Sequence, residues 1–369
     1  VVKTKPIDNW WVFPGFEIEH LVTGLDKPVN IAMVPEPGSA SDDPLFYVTE
    51  LYGRVRAITN DLEVHDYADK LLNFAPDYVL PGTGESGVIG LCIEPSSGDL
   101  FVSMIYQEKD GFKAKVVRMS SGNGLKMDSM ETVISGIPSV NGAHQIHAVT
   151  IGPDGKLYAN VGDAMLAPSP AQDGNDLRGK VLRLNLDGSV PDDNPRPGSP
   201  IFAKGFRSPF GATWRRSDSS LYISDNGPRY YDRIARVEAG GDYGWPTDMR
   251  QNSLFWWAFT QAPTALAFMQ DGQFPQEFDD HLFLSLAGPA RYKAPARKGK
   301  RIVKLQLNEN GRGALSVDDF VAYTGEGLAM PVGLAFGRDG LYFTDLHGES
   351  DIYGREPGGN VFVVRPAEG

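Results

Sequence analysis

The chain has 369 residues, with Lys+Arg 35 against Asp+Glu 47 and a formal net charge of -12. That balance disfavours nucleic acid, a polyanion, as a general partner. The single cysteine, Cys92, excludes an intrachain disulfide framework and a cysteine-built metal centre, and no run of roughly 18 apolar residues is present to span a membrane.

Val1–Pro14 reads as an arm, with Trp10-Trp11 expected to cover an edge of the folded body, and Phe16–Leu21 reads as a strand. One pattern then occurs six times. Its first strands are Asn30–Pro35, Gly87–Pro95, His147–Pro153, Phe210–Arg216, Thr264–Asp271 and Pro331–Asp339. Its second strands carry an aliphatic-aromatic pair at Leu45-Phe46, Leu100-Phe101, Leu157-Tyr158, Leu221-Tyr222, Leu282-Phe283 and Leu341-Tyr342. A third apolar run follows each pair, at Arg54–Ile58, Lys115–Met119, Lys180–Leu184, Arg233–Val237, Arg301–Leu307 and Asn360–Val364. Short strands recurring at a period of about 60 residues cannot bury their faces singly and close into a ring. The expectation is one all-β domain over residues 1–369, with residues 1–15 as the arm. It is a six-bladed β-propeller with four-stranded antiparallel blades, closed by the N-terminal strand.

Between the repeats, Asp61–Val79 reads as an irregular insert, and Pro81–Gly87 as a glycine-rich blade entry without the helix that a phosphate loop needs. Ala164–Gly179 reads as a polar loop. Asp187–Asn194 reads as a hydrogen-bonded turn, because it lacks the ligand spacing of an EF-hand. The aromatic stretch Leu254–Phe268 is assigned to packing between blades. Arg291–Arg301 holds six Arg or Lys residues, either as a solvated loop or as a cation cluster for an anionic cofactor.

The most informative stretch is His144–Asp163. Ala148–Ile151 and Leu157–Val161 flank Pro153-Asp154-Gly155, which makes a hairpin. Its two ends, His144 and Asp163, therefore meet. If strand order repeats, Glu85, His147, Arg207, Ser208, Asn226, Gly227, Asp232, Thr260, Asp345 and His347 emerge on the same face. An imidazole held by a carboxylate can take a proton near neutral pH, and an arginine can stabilise a developing negative charge. Such a set suits removal of a proton from an alcohol as a hydride leaves. Two other readings stay open at this point. His144, His147 and His347 with Asp163 could hold a divalent metal for hydrolase or lyase chemistry, or the face could be a non-catalytic binding surface.

The segments Gly84–Gly90, His144–Asp163, Asp176–Asn185, Gly205–Gly211, Asp225–Pro228 and Asp242–Pro246 resemble, in this order, the soluble quinoprotein glucose, aldose-sugar and sorbosone dehydrogenases. The resemblance runs from about Phe16 to the C-terminus. It implies a periplasmic or secreted oxidoreductase that oxidises a sugar or another alcohol or aldehyde. Hydride would pass to pyrroloquinoline quinone (PQQ) with calcium, and electrons onward to an external acceptor. It also implies His144 as base, Asp163 as its orienting partner and Arg207 as the charge stabiliser. Glu85, Ser208, Asn226 and Thr260 fall at cofactor-contact positions. Gly227 and Pro228 would offer carbonyls to calcium, with Asp232 as a side-chain helper. The chain departs from the family in four places: Ile146 and His147 follow His144 where small residues are usual, Asp232-Arg233 stands where an Asp-Glu pair is usual, Met330-Pro331-Val332 stands where arginines precede the last repeat, and the lysine before the third strand of the preceding blade has no clear match. Arg291, Lys293 or Arg297 would then be needed to meet the carboxylates of PQQ.

Overall fold

The computed structural model describes residues 7–76, 85–288, 300–325, 327–348 and 357–367. Arg291, Lys293 and Arg297 lie outside the described residues, as does most of the glycine-rich entry before Glu85.

Six antiparallel sheets follow one another along the chain. Blade 1 is Pro28–Met33, Pro44–Glu50, Arg54–Thr59 and Val64–Ala68; blade 2 is Val88–Ile93, Leu100–Glu108, Gly111–Ser120 and Ser129–Pro138. Blade 3 is Ile146–Ile151, Leu157–Val161, Lys180–Leu184 and Ile201–Lys204; blade 4 is Pro209–Arg215, Ser220–Asp225, Asp232–Val237 and Ser253–Trp257. Blade 5 is Pro263–Phe268, Leu282–Leu286, Arg301–Leu307 and Ala314–Tyr323, with the arm strand Trp10–Val12 added outside as a fifth. Blade 6 takes Pro331–Phe336, Leu341–Asp345 and Gly359–Pro366 from the end of the chain, and its outer strand, Phe16–Leu25, from the beginning. The inner strands pack on one another in a closed ring.

Each blade interface has its own apolar cluster. Phe101, Ile105, Ile146 and Val149 pack between blades 2 and 3, for example, and Tyr158, Phe206, Leu221 and Ile223 between blades 3 and 4. Polar ties accompany them. Ser103 Oγ donates to the carbonyl of His147 at 2.6 Å, Asn160 Nδ2 to that of Gly211 at 3.1 Å, and Thr264 Oγ1 to that of Val332 at 3.0 Å. Each satisfies an inner-strand carbonyl that would otherwise be buried unpaired.

Three readings are corrected. Asp61–Val79 is not simply an insert, because Val64–Ala68 is the fourth strand of blade 1. In that blade the residues aligned with the other pairs are Phe46-Tyr47, one position later than Leu45-Phe46. Met33 pairs with Phe46, as Ile93 pairs with Leu100. A one-residue slip exchanges the faces of a strand, so the alignment matters. The aromatic stretch after Leu254 is divided: Leu254, Trp257, Leu266 and Phe268 pack in the cluster between blades 4 and 5, as expected, whereas Trp256 on the outer strand Ser253–Trp257 and Phe259 after it are exposed. Asp187–Asn194 is a hydrogen-bonded turn, in which Asp193 and Asn194 hold Arg183.

Candidate active site

The hairpin of blade 3 closes through a bond from Gly155 N to Gly152 O at 2.9 Å, with Gly155 at φ 69°. At its open end, His144 Nδ1 lies 2.6 Å from Asp163 Oδ1. Asp163 Oδ1 also accepts from Met165 N at 3.0 Å, and Oδ2 accepts from Trp245 Nε1 at 2.8 Å. Burial would raise this carboxylate's pKa, but the bonds from His144, Trp245 and Met165 outweigh it and hold the group below the ordinary Asp range. With Nδ1–H given to the carboxylate, the neutral imidazole carries its lone pair on Nε2, which no hydrogen bond engages among the described residues.

The backbone here is strained. His144, Ala164 and Met165 all have positive φ, at 59°, 55° and 57°. The strain is held by His144 N donating to Glu85 Oε2 at 2.8 Å and by Ala164 N donating to His144 O at 3.1 Å. Gly162 is required beside them, because a Cβ there would lie 2.3 Å from the His144 carbonyl oxygen.

Arg207 enters from the loop before blade 4. Its backbone is fixed on both sides: Asp163 N donates to its carbonyl at 2.8 Å, and Asp225 Oδ1 accepts its N–H at 3.2 Å and that of Ser208 at 2.7 Å. Asp225 is held in turn by Arg233, whose side chain is fully buried, at 2.7 Å. Arg233 also donates to the carbonyls of Gly205 and Met249. The departure Asp232-Arg233 is thus the brace of blade 4. The Arg207 guanidinium lies over the Trp245 ring at 5.6 Å, and its Nη1 donates to Asn226 O at 3.0 Å and Gly227 O at 2.8 Å. Its desolvation lowers its pKa, opposed by Asp163, Asp225, Glu85 and Asp232.

The remaining predicted site residues are engaged within the protein. Asp232 Oδ1 accepts from Gly227 N at 2.7 Å; its Oδ2 accepts from Thr260 Oγ1 at 2.9 Å, Gln261 N at 2.6 Å and Ala262 N at 2.8 Å. Asn226 Nδ2 donates to Pro263 O at 2.9 Å. Pro228 is exposed. Continuous contacts therefore join Glu85, His144, Asp163, Trp245, Arg207, Gly227, Asp232 and Thr260, and Gln261 Oε1 extends the set by accepting from Arg301 Nη2 at 3.2 Å. Sequence reasoning assigned no role to Trp245, although the motif Asp242–Pro246 held it, and none to Gln261; Arg301 entered as a candidate cation only as the last member of the basic stretch Arg291–Arg301.

The metal-site reading built on three histidines is not supported. Among the described residues no three His, Cys, Asp or Glu side chains converge as a metal site. His147 is fully buried on the Phe210 ring, at 4.4 Å between centroids, and Nε2 is 3.4 Å from Ser208 Oγ and 3.7 Å from Glu85 Oε2. Burial lowers its pKa to about 4. The carbonyl of His347 accepts from Asn360, and Asp345 Oδ1 accepts from Met330 N at 2.7 Å. Met330 and Val332, at the positions of the missing arginines, join an apolar cluster with Val29, Leu51, Ile89 and Leu346.

The six-bladed ring is the fold of the sugar dehydrogenases to which comparison with known proteins relates this chain. The chain belongs to the Glucose / Sorbosone dehydrogenase family, whose profile matches residues 25–312. It is 31% identical over 264 residues to quinoprotein glucose dehydrogenase B of Acinetobacter calcoaceticus, covering 63% of this chain and 52% of that protein. It is 25% identical over 342 residues to aldose sugar dehydrogenase YliI of Escherichia coli K12, covering 82% and 85%. A putative oxidoreductase (glucose dehydrogenase) of Thermus thermophilus superposes with a TM-score of 0.75 at 26% identity, covering 95% of this chain and 100% of that one.

Proposed function

We propose that the chain oxidises a sugar, or a related alcohol or aldehyde, with His144 as the general base. The observation that carries this reading is the 2.6 Å contact between His144 Nδ1 and Asp163, which leaves Nε2 as the basic atom. In the reaction the substrate O–H gives its proton to Nε2, the carbon gives up hydride, and the C–O single bond becomes a carbonyl. Asp163 holds the tautomer and stabilises the imidazolium that forms. Arg207 supplies fixed positive charge where negative charge develops. Trp245 positions both, through its bond to Asp163 and its face beneath Arg207.

PQQ, when bound, supplies the two-electron acceptor, which an external electron acceptor then reoxidises. The site fits an anionic planar quinone on the side of blades 3 to 5. Arg207 contributes a cation there; Arg301 is already paired with Asp319 at 3.0 Å and with Gln261, and only its buried Nε makes no hydrogen bond among the described residues. On the side of blade 6, Met330 and Val332 are apolar where the family has arginines, so Arg207 would be the fixed cation that meets the carboxylates. Calcium does not fit the Gly227 loop as arranged, because Asp232 is committed to four donors and the Gly227 carbonyl to Arg207. A periplasmic or secreted setting is part of the same proposal. Dye-linked turnover of an aldose panel by the PQQ-loaded protein tests it; no turnover of any aldose or simple polyol would overturn it.

A further inference from the structure

We infer that the guanidinium of Arg207 takes the place of a metal ion in this site, so that the chain is calcium-independent. The inference rests on the dehydrogenase reading for its chemical meaning, but the exclusion of the ion stands on the geometry alone. The loop Asn226-Gly227-Pro228 turns two adjacent carbonyls toward one cation, and in this chain that cation is Arg207, at 3.0 and 2.8 Å. A calcium ion on Gly227 O would sit about 2.4 Å from it. Arg207 Nη1 is 2.8 Å from the same oxygen, so the two cations could be no more than about 5 Å apart.

The carboxylates near Arg207, those of Asp163, Asp225, Glu85 and Asp232, each already accept hydrogen bonds within the protein, and among the described residues none is aimed at an added ion. Calcium takes six to eight oxygens, usually with carboxylates among them. The closest candidate, Asp232, already accepts from Gly227 N, Thr260 Oγ1, Gln261 N and Ala262 N. These bonds shape the loop itself, so turning the carboxylate toward an ion would leave buried N–H groups unpaired. Asp225 is likewise taken, by Arg233 and the N–H groups of Arg207 and Ser208. Arg207 cannot withdraw without loss either, because its backbone is pinned by Asp163 and Asp225 and its head rests on Trp245. A fixed guanidinium can do what a metal would do toward a quinone or a developing oxyanion, with planar donors aimed from a desolvated position.

The test is a thermal-shift and terbium-luminescence series on the whole chain, stripped with EDTA and then given calcium alone, PQQ alone, or both. Terbium serves as the calcium probe, with Trp245 close enough to sensitise it. The expected result is no melting shift and no saturable emission with the metal alone, and the same melting temperature with PQQ whether or not calcium is added. If calcium by itself stabilises the wild-type chain, or if PQQ raises the melting temperature only with calcium, the inference is overturned while the cofactor reading survives. If PQQ gives no shift in any arm and calcium adds nothing, the metal inference stands and the cofactor reading falls. Arg207→Gln removes the charge and frees Asn226 O and Gly227 O while the carboxylates stay committed, so it should gain weak calcium-dependent stabilisation, at about 10⁻⁴–10⁻³ M calcium. A folded Arg207→Gln protein with no such gain would mean that the guanidinium is not what excludes the ion, and would overturn the inference.

Discussion

Asp163→Asn is the most discriminating single substitution. Read from the sequence, it should cost less than losing His144, because the base itself remains. The geometry makes it severe. Both carboxylate oxygens accept from N–H donors: Oδ1 from His144 and Met165, Oδ2 from Trp245. An asparagine has one acceptor oxygen. If its NH₂ faces His144, the imidazole must offer its lone pair at Nδ1 and carry its proton on Nε2, and the base is lost. If its NH₂ faces Trp245, two donors oppose each other in a buried place, at about 1.5–3 kcal/mol for a lost bond to a charged acceptor. In either case the imidazolium loses its counter-charge. We expect kcat/KM to fall by about 10²–10⁴-fold, or roughly 3–5 kcal/mol, measured by dye-linked turnover beside a circular-dichroism check of folding. The pH dependence carries a sign. Asp163 is held below its ordinary pKa of 3.8, so its contribution to stability is present above that pH and fades as pH falls through the lower folded value. The wild type's advantage in melting temperature over the Asn variant should therefore shrink under strongly acidic conditions. Activity within ten-fold of wild type in a folded Asn variant would refute the orienting role.

Three further outcomes are expected. Arg233→Met leaves Asp225 as an unpaired buried carboxylate and should destabilise the chain by about 3–5 kcal/mol in urea unfolding, with Asp225→Asn in the same chain recovering part of the loss. His147, lowered to about 4 by burial, binds no proton in the folded state between about pH 4 and its ordinary 6.5, where the unfolded chain does. Stability should fall as pH drops through that window, by about 3 kcal/mol in total from this group, and His147→Gln should flatten the fall in melting temperature. Trp245→Phe keeps a ring beneath Arg207 but removes the donor to Asp163, so kcat should drop about ten-fold and the acid limb of the pH profile should move upward.

The ring was legible because each blade repeats an apolar first strand and an aliphatic-aromatic second strand at nearly constant spacing, and neither can be buried alone. Val64–Ala68 escaped because its sequence, Val-His-Asp-Tyr-Ala, belongs to an outer strand with one exposed face and little apolar periodicity. The His144–Asp163 pairing followed from hairpin geometry, which the turn at Pro153–Gly155 encodes locally. The partners of Arg207 were not legible in the same way. Its bonds are to backbone carbonyls of a loop twenty residues away, and carbonyl orientation leaves no mark on residue type. Trp245 was hidden for a related reason: an indole that donates to a carboxylate 82 positions distant reads in sequence as one more packing residue. Arg233 looked like a lost acid and is a buried brace, because a substitution read against a family pattern reveals what is missing and not what the new side chain holds.

The central claim, that His144 removes the substrate proton as hydride leaves carbon, is tested most directly by a single turnover. The PQQ-loaded protein is mixed with an aldose carrying deuterium at C1, and loss of the quinone absorbance is followed by stopped flow in wild type and His144→Ala. The account predicts reduction by the unlabelled sugar, a primary isotope effect with the labelled one, and a rate lower by about 10²–10⁴-fold in the folded Ala variant. Undiminished reduction in His144→Ala, or no reduction by any sugar in wild type, would contradict it.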